Sequence, residues 1–215
     1  MSAMYDFSKI FGAELQSKSG TVETNSVLSG KYVMVYFSAH WCPPCKMFTP
    51  ELVKVYNKLK ETRSDLELVF VSSDREETAF KEYYGEMPWM ALDFADRDAK
   101  DALSKIFDVS GIPSLVVLGP KAGGSRPVIT ASARGSASLD NVADFPWHPK
   151  PYAELSQTAE CNGSDINDSP AIIVLCEAED DDEQASIKSA VQSVALSQPA
   201  GSGGLFFFGT SHSRG

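Results

Sequence analysis

Tyr32-Val-Met-Val-Tyr-Phe-Ser-Ala-His-Trp-Cys-Pro-Pro-Cys-Lys46 is the stretch that decides how this chain folds. Its first part, Val33 to Ser38, is a continuous, β-branched-rich apolar run, the pattern of a strand buried on both faces. Its last part opens a segment, Met47 to Lys60, in which Phe48, Leu52, Val55, Tyr56 and Leu59 recur at helical spacing. Cys42 and Cys45 stand three positions apart where that helix begins. They share one turn, so their sulfurs can join with little backbone movement. The first N–H groups of a helix have no intrahelical partner, and together with the dipole they favour a thiolate over a thiol at Cys42. A helix terminus contributes about 0.3–1 kcal/mol to a nearby charge, and up to about 2 when partly buried. One pKa unit is about 1.4 kcal/mol, so a cysteine that ordinarily titrates near ~8.5 is drawn toward ~7. Pro43 and Pro44 fall in the first turn, where a missing N–H costs little, and they fix φ around the dithiol. Such a constellation suits thiol–disulfide exchange.

A CxxC pair is also half of many zinc sites, so the rest of the sequence has to arbitrate. Cys161 and Cys176 stand far apart without that spacing. His40, His148 and His212 make no zinc-finger pattern. The strand–CxxC–helix context therefore points to redox chemistry, with no metal and no other cofactor expected.

The chain has 215 residues, a net charge of −10 and 43% hydrophobic residues. That length allows one large or two small domains, and the hydrophobic share is ordinary for a globular protein. The negative charge argues against nonspecific nucleic-acid binding and against an anionic membrane surface. No segment approaches the ~20 apolar residues of a membrane span. Met1 to Lys9 has no apolar signal region, and four cysteines in a chain this long do not make a secreted disulfide scaffold. A reducing compartment, cytoplasm or nucleus, is the expectation.

Beyond the dithiol, strands and helices alternate. Leu66 to Ser72 reads as a second buried strand. A helix is expected from Asp74, with acidic residues at its N-terminus, to about Tyr84, ending at Gly85. Another is expected over Asp98 to Phe107. Strands follow at Ser114–Leu118 and Val128–Ser132, the second after a Gly/Pro-rich turn. Pro50 is expected to kink the helix after the dithiol. The pattern predicts an α/β domain with a central mixed sheet flanked by helices. Phe145-Pro-Trp-His-Pro-Lys-Pro then reads as a connector. After it, Ala171–Cys176 reads as a strand, Glu177–Glu183 as a solvated acidic loop and helix start, and Leu205–Phe208 as a strand. The expected division is a catalytic domain over 1–145, a linker over 146–152, and an incomplete, redox-inactive second unit over 153–215, with Cys176 a buried core thiol.

The alternation is the thioredoxin order. Ile112-Pro113 lies just before the strand at 114–118, where a thioredoxin-like domain places a cis X-Pro against its dithiol. An ordinary trans proline at a strand start is the alternative. Five segments, Lys31–Lys46, Val71–Glu76, Tyr83–Met90, Gly111–Leu115 and Phe145–Pro151, together resemble the nucleoredoxins, members of the thioredoxin superfamily close to the tryparedoxins. The resemblance implies a thioredoxin-like fold followed by a partial second thioredoxin-like unit. It implies that Cys42 attacks a target disulfide and Cys45 resolves the mixed disulfide. Trp41, Pro43, Ile112 and Pro113 would line the substrate groove. It further implies protein-disulfide reduction in cytoplasm and nucleus, recharged by an upstream thiol reductant or reductase, and redox-dependent binding of signalling proteins such as Dishevelled in the Wnt pathway. Two departures stand out. Familiar nucleoredoxins carry a thioredoxin-like domain ahead of the catalytic one and a complete one after it, whereas this chain is expected to begin at the catalytic unit and end inside the last. Thioredoxin also has a buried aspartate six residues before its first active cysteine. Tyr36 holds that position here and cannot serve as the same base. Two functions stay open at this point, a protein-disulfide reductase and a binding protein whose dithiol gates partner affinity.

Overall fold

A computed structural model describes residues 7–120, 127–155, 160–161, 164–165, 170–198 and 205–209. The chain forms two compact units, Met1–His148 and Pro149–Gly215. The first contains, in order, α1 (Ser8–Phe11), β1 (Glu14–Ser17), β2 (Gly20–Glu23), α2 (Thr24–Leu28), β3 (Tyr32–Ser38), α3 (Pro43–Thr62), β4 (Leu66–Ser72), α4 (Glu77–Gly85), β5 (Met90–Ala91), α5 (Arg97–Ile106), β6 (Ser114–Leu118) and β7 (Val128–Thr130), then two 3₁₀ turns over Ala133–Gly135 and Leu139–Asp144. Its strands form one seven-stranded sheet in the order β2-β1-β5-β4-β3-β6-β7. β4 is parallel to β3 and to β5, and the other pairings are antiparallel. This is the mixed sheet expected from the sequence.

The two-residue strand period sorts the core into two layers. Met34, Tyr36, Leu68, Phe70, Leu115 and Val117 face α3 and α4, where they meet Leu52, Val55, Leu59, Phe80 and Tyr83. Val33, Val35, Phe37, Val69, Val71, Val116 and Leu118 face the other way, onto Phe7, Phe11, Leu28 and Leu103 of the N-terminal segment and α5. Both faces of the central strands are buried, which is why they read as unbroken apolar runs.

α3 begins at Pro43, with both prolines in its first turn as expected, and Pro50 lies inside it. Other boundaries differ from expectation. α4 begins at Glu77 rather than Asp74: the Asp74 side chain is buried and bonded to the His40 N–H, and the backbone is still extended at Glu76. The proline-rich stretch is not a free connector. Phe145 and Trp147 are buried in the α3-side layer at 6% and 4% exposure. Their rings meet edge to face at 5.0 Å, Phe145 packs on Tyr32 at 5.5 Å, and the Arg63 guanidinium lies 5.1 Å from the Phe145 ring centre. The Trp147 indole N–H donates to the Asn141 carbonyl at 2.9 Å. Aromatic burial overrides the proline signal, so the first unit extends past 145, and Tyr152 already opens a strand of the second.

That second unit has β8 (Tyr152–Glu154), β9 (Glu160–Cys161), β10 (Ser164–Asp165), β11 (Ala171–Leu175), α6 (Asp181–Ser197) and β12 (Leu205–Gly209). β9 and β10 form an antiparallel pair. The remaining strands make a parallel sheet, β11-β12-β8. Val191 and Ala195 of α6 pack on Phe206, Phe208 and Val174. Asp180 caps α6 by accepting from the Glu183 N–H at 2.9 Å, and the exposed acidic run supplies the first turn, where the dipole favours it. Cys176 is buried and its thiol donates to the Gly209 carbonyl at 3.0 Å. The side chain of Cys161 and the positions around His212 lie outside the described residues.

Candidate active site

Topology brings the site together. β3 and β6 run antiparallel with Phe37 opposite Ser114, so the segment leaving β3 meets the segment entering β6. The first carries Cys42 and the second carries Ile112-Pro113, whose peptide bond is cis. Cys42 and Cys45 are joined as a disulfide with their Cα atoms 5.2 Å apart. Cys42 is the N-cap of α3. Its backbone is extended (φ −94°, ψ 110°) and its sulfur accepts from the Cys45 N–H at 3.3 Å. The Ile112 carbonyl oxygen lies 3.7 Å from the same sulfur. Pro43 and Pro44 occupy the first two helical positions, and the first turn holds no acidic residue. The positive end of the helix therefore acts on the Cys42 sulfur without an opposing carboxylate on its own turn.

Cys42 just reaches the surface at 3% exposure while Cys45 has none. Around them Pro43 and Pro44 are exposed, Ile112 is half-buried and Pro113 is buried. Trp41 at 59% and Met47 at 77% are large apolar side chains left open to solvent beside the dithiol. All six residues singled out in the sequence, Trp41, Cys42, Pro43, Cys45, Ile112 and Pro113, belong to these two adjoining segments. Among the described residues no three His, Cys, Asp or Glu side chains gather as a metal site.

Further residues, not expected from the sequence, hold the segment before Cys42. Asp74 is 1% exposed. One carboxylate oxygen accepts from the His40 N–H at 2.8 Å, and the other from the Ser72 hydroxyl at 2.9 Å. Arg97 donates to the Ser72 and Asp74 carbonyls, and the Trp41 indole N–H donates to the Ser73 carbonyl at 3.2 Å. The end of β4 thus clamps the dithiol segment. The His40 ring stacks on Tyr83 at 5.5 Å. Tyr36 is fully buried, bonded to Ser38 and Thr49, and burial pushes its phenol well above the ordinary range. It remains a neutral hydroxyl and does not replace a carboxylate base. The available signal was the pair Tyr36 and Ser38, two polar side chains sharing one face of an otherwise apolar strand.

Fold and site together define a member of the thioredoxin-like class, and the chain's similarities agree. The thioredoxin-like family model matches residues 30–123. Mouse nucleoredoxin is 39% identical over 190 residues, 88% of this chain and 42% of that protein. Tryparedoxin of Trypanosoma brucei brucei is 42% identical over 134 residues, 62% of this chain and 90% of that protein. The crystal structure of tryparedoxin I from Crithidia fasciculata superposes with a TM-score of 0.59 at 39% identity, covering 66% of this chain and 97% of that one. The chain belongs to the thioredoxin-like family, in the group formed by the nucleoredoxins and tryparedoxins. It spans less than half the length of the nucleoredoxins it matches.

Proposed function

We propose that the protein is a thiol–disulfide oxidoreductase acting on protein disulfides through Cys42 and Cys45. The observation that carries this reading is the Cys42 sulfur at the N-terminus of α3, 3.3 Å from the Cys45 N–H and 3.7 Å from the Ile112 carbonyl oxygen. In the reduced state the helix terminus stabilises a Cys42 thiolate. That thiolate attacks a substrate sulfur, and the substrate's other sulfur leaves. Cys45 then attacks Cys42, releasing the reduced substrate and closing the intramolecular disulfide. Trp41, Pro43, Ile112 and Pro113 form the surface on which the substrate strand rests. An upstream thiol reductant or reductase returns the pair to the dithiol, in keeping with a cytoplasmic and nuclear setting.

The exposed Trp41 and Met47 favour a second reading, in which the redox state of the pair gates affinity for a signalling protein of the Dishevelled kind. Insulin-disulfide reduction driven by dithiothreitol separates the two. Turnover well above the dithiothreitol blank, lost in Cys42→Ser, is expected. A blank-level rate from folded wild-type protein would overturn the reductase reading. Partner capture that survives replacement of both cysteines by serine would favour the second.

A further inference from the structure

Behind the dithiol lies a buried group of four hydroxyls from three elements: Tyr36 and Ser38 on β3, Thr49 on α3 and Tyr83 on α4. Counting protons gives the group a direction. The Thr49 hydroxyl donates to the Cys45 carbonyl at 3.0 Å, which uses its one proton. The 2.8 Å contact between Tyr36 and Thr49 is therefore donated by Tyr36. Ser38 donates to the Tyr36 oxygen at 2.9 Å, so its 3.0 Å contact with Tyr83 is one that it can only accept. Tyr83 lies within reach of both Ser38 and Thr49 and, with a single proton, donates to only one of them. The chain thus runs Ser38 to Tyr36 to Thr49 to the carbonyl of Cys45.

That carbonyl lies next to a gap in the helix ladder, because Pro50 brings no N–H for the Lys46 carbonyl. Packing sets which face α3 turns to β3. The hydroxyl chain adds a directional restraint at its Cys45 end. Cys42, by contrast, is held from the other side, through the Ile112 segment and the Asp74 clamp.

We propose that Thr49 and Tyr36 are positioning residues for the second half of the exchange: their hydroxyl chain holds the Cys45 turn where its sulfur can reach Cys42 in the mixed disulfide. The proposal rests on the exchange function above. In that step the Cys45 thiolate attacks the Cys42 sulfur and the Cys42–Cys45 bond forms. The Cys42–substrate bond breaks, its electron pair leaves with the substrate sulfur, and the proton lost from Cys45 reaches that sulfur through water. The dithiol loses two electrons and the substrate disulfide gains them.

The test mixes reduced protein rapidly with dithiobis(nitrobenzoate), an aromatic disulfide that releases one coloured thiolate at each half of the exchange. Thr49→Val and Tyr36→Phe are expected to keep the first release within about twofold of wild type and slow the second about tenfold, equivalent to about 1.4 kcal/mol. Thr49→Ser, which keeps the hydroxyl, is expected to restore the second rate. An unchanged second release, equal slowing of both, or Thr49→Ser as slow as Thr49→Val would overturn the proposal. Should Thr49→Val fail to fold, the two rates of Tyr36→Phe decide. Absence of any first release in wild type would instead sink the exchange function itself.

Discussion

Replacing Trp147 with alanine separates two accounts of the segment after Asp144. If it were a connector, the change would cost almost nothing. In the structure Trp147 is 4% exposed, edge-on to Phe145 and bonded to the Asn141 carbonyl. An aromatic side chain of this size buries about 150–250 Å². At ~25 cal/mol per Å² that is about 4–6 kcal/mol, an upper bound because the unfolded chain already hides part of its surface. Measured aromatic-to-alanine changes in cores cost about 3–5 kcal/mol. For a protein of this size each kcal/mol lowers the midpoint by about 2–4 °C, so a fall of about 6–20 °C in Tm is expected. Thermal unfolding followed by circular dichroism reads it, with urea titration giving the free energy. His148→Ala, one residue on and exposed, should stay within about 0.5 kcal/mol of wild type. A Trp147→Ala protein that melts with wild type would refute the placement of this residue in the core.

Asp74→Ala removes acceptors for the His40 N–H and the Ser72 hydroxyl. Hydrogen bonds to charged groups are worth about 1.5–3 kcal/mol each, so urea unfolding should register a loss of about 3 kcal/mol or more. A Cys45→Ser protein should accumulate mixed disulfides through Cys42, visible as reductant-sensitive adducts on non-reducing gels, and absence of adducts would contradict the assigned order of attack. Burial pushes the Tyr84 phenol up to about 12. Above pH ~10 the unfolded chain has lost that proton and the native protein has kept it, so the associated stability is whole below pH ~10 and fades as pH rises through about 12. Tyr84→Phe should flatten the alkaline fall in stability, and an unchanged slope would discount this residue.

What the sequence discloses depends on how local the determining physics is. Val33–Phe37 and Leu68–Val71 are legible because strands buried on both faces need predominantly apolar side chains. The dithiol is legible because its residues are contiguous. β1 and β2 are not, since four-residue strands with mixed burial toward a sheet edge carry little periodicity. Asp74 misleads for a related reason. Acidic residues near a helix start satisfy the local rule, yet here one carboxylate is taken by a loop more than thirty positions earlier in the chain. Thr49 and Tyr83 lie on different helices, and nothing in their spacing announces that they meet over Tyr36. Phe145-Pro-Trp combines a loop signal with a core signal, and only the packing partner Tyr32 decides between them.

The position of β3 in the sheet has a consequence for how the molecule breathes. It pairs on both sides, with β4 and β6, and its interior residues have no exposed surface. Amides so placed exchange with solvent deuterium only when the whole unit opens, whereas those of edge strands and loops exchange through smaller, frequent openings. The reactive sulfur is therefore mounted one short loop beyond the slowest-exchanging part of the protein. The His40 amide, bonded to the buried Asp74 carboxylate, should share much of that protection. The sulfur is thus offered to a partner from a mount that does not yield.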